Sequence, residues 1–362
     1  MKKILILANS SEGLYDFRRE LIVELVKEYQ VFVSVPDEIA VERLEGAGCR
    51  MLHTAMNRRG INPVQDLKLL NSYGRLMREI RPDCVLTYTI KPNIYGGLMA
   101  GSKGIPFLPT ITGLGTAFQK EGPVNRLVKV LYRRAFGKAP VVMFQNGRNR
   151  DVFLENNLLS GRARVVKGSG VNLEHHQKES YPGREKPRFL YVGRLMKEKG
   201  IEEFLAAALR YANRAEFVII GDYEEDYRHQ VETAMQEGWV TFHGPQTDVR
   251  SFYREADAVI VASYHEGMSN VVLEAAATGR PVLATNIHGC REAVEDNLTG
   301  LLFQPHSAAA LEEAVETFLG LSRKQREAMG QAARRKMEAE FDRNQVVQAY
   351  LEEIKQAVRS AE

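Results

Sequence analysis

Short apolar runs alternate with longer segments of helical periodicity along the whole chain. Ten such runs occur, at residues 3–8, 31–35, 83–88, 107–111, 140–144, 188–193, 216–221, 240–244, 257–262 and 281–286. Each run is apolar at consecutive positions rather than at alternate ones, which is typical of parallel strands that helices cover on both faces. The intervening segments fit βαβ crossovers. The pattern therefore predicts an α/β protein with two doubly wound, Rossmann-like sheets in tandem.

The length and one irregular segment predict where the chain divides. A chain of 362 residues fits two domains at roughly 100–200 residues each. Residues 167–187 show no periodicity and are rich in Gly, Ser, Pro and charge. We predict an N-terminal domain over residues 1–168, a C-terminal domain over residues 169–343, and a final helix over residues 344–362 that packs back on the N-terminal domain. A cleft between the domains would hold the ligands.

The composition is that of an ordinary globular protein, with 44% hydrophobic and 26% charged residues. Cys49, Cys84 and Cys290 are scattered singly, so we expect small buried apolar side chains rather than disulfides or a zinc site. No apolar stretch approaches the ~18 residues that a membrane span needs. We therefore expect a cytoplasmic protein, free or peripherally bound to the inner face of the cell membrane.

The modest net charge of +3 conceals two halves of opposite sign. Residues 1–170 contain 26 Lys and Arg against 15 Asp and Glu, a net +11, whereas residues 171–362 contain 23 against 31, a net −8. A basic half indicates an anionic partner, and nucleic acid and acidic lipid headgroups are the usual candidates. The interleaved aromatic and basic residues of single-strand binders are missing, so we expect no nucleic acid.

Ligands of open parallel sheets bind beyond the carboxyl ends of the strands, so the loops after each strand are the first candidates for a site. Residues 9–13, which end at Gly13, form a small-residue loop whose free N–H groups would suit a phosphate or carboxylate. The loop lacks the GxGxxG spacing, and no acidic residue ends the second strand. A nicotinamide enzyme is therefore disfavoured.

A second loop places two cations beside glycines at a helix entrance. It follows the first strand of the C-terminal half and contains Gly193, Arg194, Lys199 and Gly200. The planar fork of arginine can chelate one phosphate while lysine acts as a point charge on the next, which suits a diphosphate. The alternative is a solvated loop with surface cations.

A third loop carries two glutamates eight residues apart. Glu266 lies beyond the end of a strand, and Glu274 lies inside the helix that we expect to begin near Ser269, two turns down and facing the same cleft. Between them, the N–H groups of Gly267, Met268 and Ser269 are predicted to form an anion-binding helix start.

Two C-terminal segments, VGRLMKEKGIEEFL (192–205) and residues 266–303, resemble the retaining glycosyltransferases of family 4, which have the GT-B fold of two Rossmann-like domains. Residues 15–18, 89–93 and 112–115 resemble, more loosely, the branch that transfers a hexose or N-acetylhexosamine to undecaprenyl-diphosphate-linked sugars in bacterial glycan assembly. The resemblance implies a nucleotide-sugar donor, most simply UDP-linked, and a lipid-linked sugar acceptor.

The resemblance also implies roles for the residues of the C-terminal half. Arg194 and Lys199 would hold the diphosphate, Glu274 the ribose hydroxyls and Glu266 the donor sugar. The other expected contacts to the nucleotide sugar, some of them backbone contacts, are Gly13, Gly193, Gly221, Asp222, His243, Gly244, Gly267, Met268, Ser269 and Asn270. The acceptor residues implied in the N-terminal half are Tyr15, Arg18, Lys91, Asn93 and Gly113.

This chemistry needs no metal and no cofactor. Two fixed cations and helix-start N–H groups would stabilise the departing diphosphate, a task that Mg²⁺ performs elsewhere. Retention would proceed by front-face attack, in which a donor phosphate oxygen accepts the acceptor's proton, although a covalent intermediate stays possible at this point. A UDP-N-acetylglucosamine 2-epimerase on the same fold and a transferase with a soluble acceptor are the alternatives.

Residues 124–138 form a basic amphipathic pattern that could lie in a membrane interface. Its apolar positions are Val124, Leu127, Val128, Leu131, Tyr132 and Ala135, and its cations are Arg126, Lys129, Arg133, Arg134 and Lys138. An ordinary sheet-packing helix with a solvated cationic face fits the pattern equally well. The basic charge of the whole N-terminal half favours contact with an anionic membrane.

Overall fold

The computed structural model of the chain describes residues 1–57, 62–114, 118, 122–182 and 184–360. These residues form two compact units, one containing Met1–Ser169 with Asn344–Glu362 and the other containing Gly170–Arg343. The division therefore falls one residue after the predicted boundary. We call them the N-unit and the C-unit.

Each unit is built on one parallel sheet. The N-unit has seven strands in the order β3-β2-β1-β4-β5-β6-β7, and the C-unit has six in the order β10-β9-β8-β11-β12-β13. The strands are β1 Lys3–Leu7, β2 Gln30–Val35, β3 Arg50–His53, β4 Cys84–Tyr88, β5 Phe107–Ile111, β6 Val141–Phe144, β7 Arg162–Val165, β8 Arg188–Val192, β9 Glu216–Ile220, β10 Thr241–Phe242, β11 Ala258–Val261, β12 Val282–Thr285 and β13 Gly300–Phe303.

Helices follow nearly every strand, as the crossovers of a doubly wound sheet require. They are α1 Ser11–Glu28, α2 Val41–Gly46, α3 Pro63–Ile80, α4 Gly97–Ser102, α5 Pro123–Phe136, α6 Gly147–Glu155, α7 Ile201–Tyr211, α8 Arg228–Gln236, α9 Arg250–Glu255, α10 Asn270–Ala277, α11 Ala308–Gly320, α12 Arg323–Glu340 and α13 Arg343–Arg359. A π-helical turn, Pro92–Gly96, precedes α4. The prediction of two doubly wound α/β domains is confirmed.

The central strands match the predicted runs because their side chains are buried on both faces. All five residues of β4 and of β5 are buried. The three cysteines are free and buried, as expected. Two of the strands that the apolar runs missed, β3 and β7, lie at the sheet edges, and each has exposed end residues and half-buried middle residues. The third, β13, is a four-residue edge strand directly after a turn.

The last helix, α13, belongs to the core of the N-unit. Val347, Tyr350 and Ile354 are buried there among residues of α1, β2 and β4. The Tyr350 hydroxyl lies 2.9 Å from the Thr110 hydroxyl in β5. Arg164 in β7 pairs with Glu353 at 2.9 Å. The helix therefore packs onto the N-unit sheet through both apolar contacts and ion pairs.

Candidate functional site

Three glycines join the carboxyl ends of neighbouring strands in the C-unit. Gly193 follows β8 and donates its N–H to Ile220 at 2.9 Å, and Gly221 follows β9 and donates to Gly244 at 3.0 Å. A Cβ on Gly221 would lie 1.8 Å from the Gly193 carbonyl oxygen, so only glycine fits this crossing of two loops. The structure therefore brings together the Gly193, Gly221 and Gly244 loops that the sequence selects separately.

Lys199 and Glu266 meet at this same edge of the sheet. The Lys199 Nζ lies 2.6 Å from a Glu266 carboxylate oxygen, and the two side chains are 25% and 15% exposed. Lys199 ends a 3₁₀ turn, Lys197–Lys199, before α7. A Cβ on Gly289 would come within 2.8 Å of Glu266 Cβ, so the absence of a side chain at Gly289 leaves room for the glutamate. The two residues form a partly buried ion pair within reach of a ligand.

Arg194 is more exposed than Lys199 and has a different partner. Its Nη1 lies 3.2 Å from Glu224, and its side chain is 51% exposed. The Arg194 carbonyl accepts a hydrogen bond of 2.9 Å from Tyr191. The Arg194 loop is therefore fixed through its backbone, while its guanidinium is held by a glutamate that the sequence analysis did not select.

The start of α10 differs from the prediction by one residue. The helix begins at Asn270, and Ser269 is its N-cap without a side-chain cap. The Ser269 N–H, expected to bind an anion, donates instead to Gly289 at 2.8 Å. Because the first N–H groups of a helix have no partner within it, the donors that point outward from α10 are those of Asn270, Val271 and Val272. Met268 contributes a buried side chain to the core.

Glu274 lies little more than one turn inside α10, not two as predicted, because it is the fifth residue of the helix. It accepts a hydrogen bond of 3.0 Å from the Tyr253 hydroxyl. Burial, and the nearby Glu274 charge, raise the pKa of Tyr253, so the phenol stays protonated and donates. Tyr253 is a partner that the sequence did not reveal.

Asp222 and His243 flank the glycine crossing. Asp222 is exposed, and its carboxylate accepts the Tyr223 N–H at 2.8 Å. The His243 ring lies 5.1 Å from the ring of Phe252 in α9. These side chains lie where the predicted base contact would occur, and Phe252 adds an aromatic surface beside them.

N–H groups of the first N-unit loop have partners within the protein. Helix α1 begins at Ser11, whose N–H donates to both carboxylate oxygens of Asp37 at 3.2 Å. The Gly13 N–H donates to Ser10 Oγ at 3.2 Å. An internal carboxylate thus compensates the positive end of α1, and a phosphate would have to compete with it. The donor contact at Gly13 stays a prediction.

The two candidate cations of the N-unit are both engaged. Arg18 is only 5% exposed and lies over the rings of Tyr88 and Tyr350, at 5.1 and 5.5 Å from their centroids. Lys91 pairs with Asp66 at 2.8 Å, and both side chains are largely buried. Neither cation projects freely into solvent.

The other acceptor candidates fall into different environments. Asn93 is buried, accepts a hydrogen bond of 2.7 Å from Thr87 and donates one of 2.8 Å to the Thr110 carbonyl, so it links β4 to β5 rather than facing a substrate. The Tyr15 ring is contacted by Arg43 at 4.7 Å. A Cβ added to Gly113 would meet no atom within 4 Å, so this glycine borders open space. Gly115, from the same motif, lies outside the described residues.

Helix α5 presents an exposed surface of mixed character. Val128, Tyr132 and Ala135 are buried, as expected for a sheet-packing helix. Three further apolar residues are exposed: Val124 and Leu127, which the pattern grouped with the other apolar positions, and Val130. Arg133 donates to the Asn156 and Asn157 carbonyls, and Lys138 donates to the Gly101 carbonyl. In the described part of the chain, no partner is seen for the side chains of Arg126, Lys129 and Arg134.

Two features of the described residues bear on metal and membrane binding. These residues contain no group of three or more His, Cys, Asp or Glu side chains that could hold a metal ion. None of the helices in the described ranges is both long and apolar enough to cross a bilayer.

Comparison with known proteins assigns both halves of the chain to related families. Residues 3–146 match the family model "Glycosyl transferase 4-like", and residues 174–336 match "Glycosyl transferases group 1". The N,N'-diacetylbacillosaminyl-diphospho-undecaprenol alpha-1,3-N-acetylgalactosaminyltransferase of Campylobacter jejuni is 26% identical over 363 residues, which cover 95% of this chain and 96% of that protein.

Two further relatives extend the comparison. The UDP-Gal:alpha-D-GlcNAc-diphosphoundecaprenol alpha-1,3-galactosyltransferase of Escherichia coli is 26% identical over 265 residues, 68% of each chain. The solved structure of sucrose-phosphate synthase from Thermosynechococcus elongatus superposes with a TM-score of 0.80 at 19% identity, covering 99% of this chain and 100% of that one. That likeness concerns the fold.

Proposed function

Because the chain is a family 4 glycosyltransferase of the GT-B fold, we propose that it moves a hexose or N-acetylhexosamine from a nucleotide sugar, with retention of configuration, to a sugar carried on polyprenyl diphosphate. The reaction would extend a surface glycan while it is still attached to its lipid carrier.

The observation that carries the proposal is the similarity over almost the whole length to the Campylobacter jejuni enzyme, whose name specifies an acceptor linked to diphospho-undecaprenol. The similarity includes the N-unit, where the acceptor would bind. The Escherichia coli relative is named for a UDP-linked donor and for the same type of lipid acceptor, which supports UDP as the nucleotide. Both family models are glycosyltransferase models, which favours transfer over the epimerase alternative.

The C-unit offers the groups that a departing nucleoside diphosphate requires. Lys199 is partly buried, so its charge is weakly screened and stabilises negative charge that develops on the leaving group. Arg194 and the first N–H groups of α10 lie in loops at the carboxyl edge of the same sheet. We propose that these groups replace a metal ion, so the reaction proceeds without one.

Glu266 and Glu274 would divide the binding of the donor. Glu266, which is paired with Lys199 at 2.6 Å, would accept hydrogen bonds from the donor sugar next to the diphosphate. Glu274, oriented by Tyr253, would hold the ribose hydroxyls. In front-face attack the acceptor hydroxyl gives its proton to a phosphate oxygen of the donor as the glycosidic bond to that phosphate breaks. The enzyme then needs no side-chain base.

The exposed surface of α5 would bring the enzyme to the lipid carrier. Val124, Leu127 and Val130 could enter the interface between headgroups and acyl chains, while Arg126 and Lys129 attract acidic headgroups. At about 1 kcal/mol per cation near an anionic leaflet, such binding is reversible and sensitive to salt. We propose peripheral association with the inner face of the cell membrane.

The proposal is tested by measuring UDP release from a panel of UDP-hexoses and UDP-N-acetylhexosamines. Each donor is incubated with the protein alone, with a lipid-diphosphate-linked sugar, and with a soluble sugar of the same structure. UDP release that requires the lipid-linked sugar, in the presence of EDTA, is the expected result. Equal release with the soluble sugar would contradict the acceptor class, and a strict need for a divalent cation would contradict the metal-independent chemistry.

A further inference from the structure

Arg18 is a buried cation whose charge no carboxylate balances among the described residues. Its Nη1 donates to the neighbouring Phe17 carbonyl at 2.7 Å, and the guanidinium lies over the faces of Tyr88 and Tyr350. Buried charges are normally paired, because removing an ion from water is costly. The Arg18 site is therefore short of negative charge.

The remaining neighbour of Arg18 is also neutral. With the Gln145 amide oriented so that its oxygen faces the donors, that oxygen accepts from Arg18 Nη2 at 3.0 Å and from Ser169 Oγ at 3.2 Å. The Gln145 nitrogen then donates to the Thr112 carbonyl at 3.1 Å. The Arg18 Nε, buried in the same place, has no hydrogen-bond partner in the described structure.

Two hydroxyl groups at the end of β4 share this lack of partners. Tyr88 is the last residue of β4, and Thr89 follows it. Both hydroxyls are buried and make no hydrogen bond of good geometry among the described residues, although the Arg18 guanidinium lies beside the Tyr88 hydroxyl. Thr89 also has a φ of +71°, which is unfavourable for a β-branched residue. Strain and unused hydrogen-bonding capacity of this kind collect at binding sites, where a ligand compensates them. Both residues lie at the carboxyl edge of the N-unit sheet, where α/β proteins bind ligands.

We propose that Arg18, Tyr88 and Thr89 bind a phosphate group of the acceptor's diphosphate. The proposal rests on the proposed function for the identity of the acceptor. All three residues can donate hydrogen bonds, and only an anion would balance the guanidinium, whose planar fork matches phosphate oxygens. The site belongs to the N-unit alone, so it is separate from Lys199 and Arg194, which hold the donor diphosphate in the C-unit.

A binding role and a folding role for Tyr88 make opposite predictions for one variant. The Tyr88 hydroxyl lies beside the Arg18 guanidinium but makes no hydrogen bond of good geometry to the described part of the protein. Tyr88→Phe therefore removes no well-formed protein hydrogen bond, and the melting temperature should stay equal or rise. If the hydroxyl serves a phosphate, the same variant binds that phosphate more weakly. Tyr29→Phe is the matched control. Tyr29 follows the end of α1 and precedes β2, so it lies at the amino ends of the strands, away from the carboxyl ends where Tyr88 lies.

The experiment titrates inorganic pyrophosphate into the full-length protein saturated with UDP, by calorimetry, so that the donor's diphosphate site is already filled. The wild type and Tyr29→Phe should bind one pyrophosphate. Tyr88→Phe and Arg18→Lys should bind it about tenfold more weakly or lose it. UDP affinity and the donor KM should be unchanged in both, and the acceptor KM should rise.

Pyrophosphate that fails to bind the UDP-loaded wild type, or binds Tyr88→Phe equally well, would overturn the site. Inorganic phosphate is titrated in parallel, and binding as tight as that of pyrophosphate would overturn the assignment to a diphosphate. Occupancy by water alone would appear as a stable Tyr88→Phe variant with an unchanged acceptor KM, which also overturns it. Failure of the wild type to bind UDP would instead count against the proposed function, and the UDP titration detects this separately.

Discussion

Lys199 has two competing anionic partners, the Glu266 carboxylate beside it and any diphosphate that binds at the start of α10. A diphosphate has to displace the glutamate or share the lysine with it. The balance between these contacts sets both the affinity for the nucleotide and the position of the glutamate that would contact the sugar. Substitutions at these two residues therefore separate binding from turnover.

Lys199→Ala should lower kcat/KM by on the order of 10²-fold, because it removes a partly buried charge from the developing leaving group. Arg194→Ala should lower it by only about tenfold, since its half-exposed guanidinium is screened by water. Steady-state kinetics measure both, and Lys197→Ala, an exposed lysine of the same turn, is the control. Unchanged kcat/KM in both variants would refute the diphosphate assignment.

Glu266→Gln should bind UDP about threefold more tightly while kcat falls, because Lys199 loses a competing carboxylate and the sugar loses its acceptor. Glu274→Gln should chiefly raise the donor KM, since its contact to the ribose persists in the transition state. UDP affinity by calorimetry and kcat by initial rates distinguish the two. The opposite pattern would exchange the roles of the glutamates.

His176 should make the C-unit less stable in mild acid. Burial, together with the nearby positive charges of His175, Arg343 and Arg250, lowers its pKa from 6.5 to about 3. Between these values the unfolded chain binds a proton that the folded protein does not, so the free energy of unfolding falls as the pH falls, by about 1.4 kcal/mol per pH unit. His176→Phe should reduce the slope of unfolding free energy between pH 6 and 5, whereas His175→Phe should not. Equal slopes in wild type and His176→Phe would show that His176 titrates normally.

At the scale of elements, the sequence located the central strands because burial on both faces leaves continuous apolar runs. It missed the edge strands β3 and β7, where all four residues are exposed or half-buried and the apolar signal is diluted. It identified the two loops that carry Lys199 and Glu266 but not the contact of Asp37 with the start of α1, since that contact joins positions 26 residues apart along the chain. The burial of Arg18 depends on Tyr350 of α13, which no local pattern encodes.

Helix α5 shows how far periodicity alone can go. Its spacing grouped apolar residues on one face without saying whether a sheet or a membrane covers them. The structure buries Val128 and Tyr132 and leaves Val124 and Leu127 exposed. The apolar face of a helix can be wider than the surface that neighbouring elements cover. Periodicity therefore cannot tell which apolar residues lie at the uncovered margin of that face.

The α5 surface predicts a salt-sensitive membrane contact. Arg126→Glu with Lys129→Glu should abolish co-sedimentation with anionic vesicles at low salt, because the attraction to acidic headgroups becomes repulsion. Arg133 is left in place, since its bonds to two carbonyls of the α6 terminus contribute to folding. The control pair, Arg78→Glu with Lys103→Glu, changes the charge equally near the ends of α3 and α4, at the opposite sheet edge. If both double variants sedimented equally with anionic vesicles, or if the wild type bound neutral vesicles as well as anionic ones, α5 would be an ordinary sheet-packing helix.

At the scale of the molecule, the two units differ in net charge and in the anionic partner that each would bind. The first 170 residues carry a net +11 and the rest a net −8, so anionic lipid and the acceptor diphosphate would be attracted to the N-unit. The C-unit is acidic overall, so a donor diphosphate would depend there on the local cations Lys199 and Arg194 rather than on net charge. The sequence alone indicated this division of charge, because net charge can be counted without coordinates. The positions and partners of individual cations could be learned only from the structure.

The most direct test of the account is the structure of the product. The protein is incubated with a UDP-sugar and a polyprenyl-diphosphate-linked sugar in EDTA, and the lipid fraction is analysed by mass spectrometry and by NMR of the new anomeric centre. We predict that the lipid-linked glycan gains one sugar, in an α-linkage if the donor is α-linked. A lipid fraction without added sugar under every donor, a UDP-sugar recovered as its epimer, or a β-linked product would contradict the account.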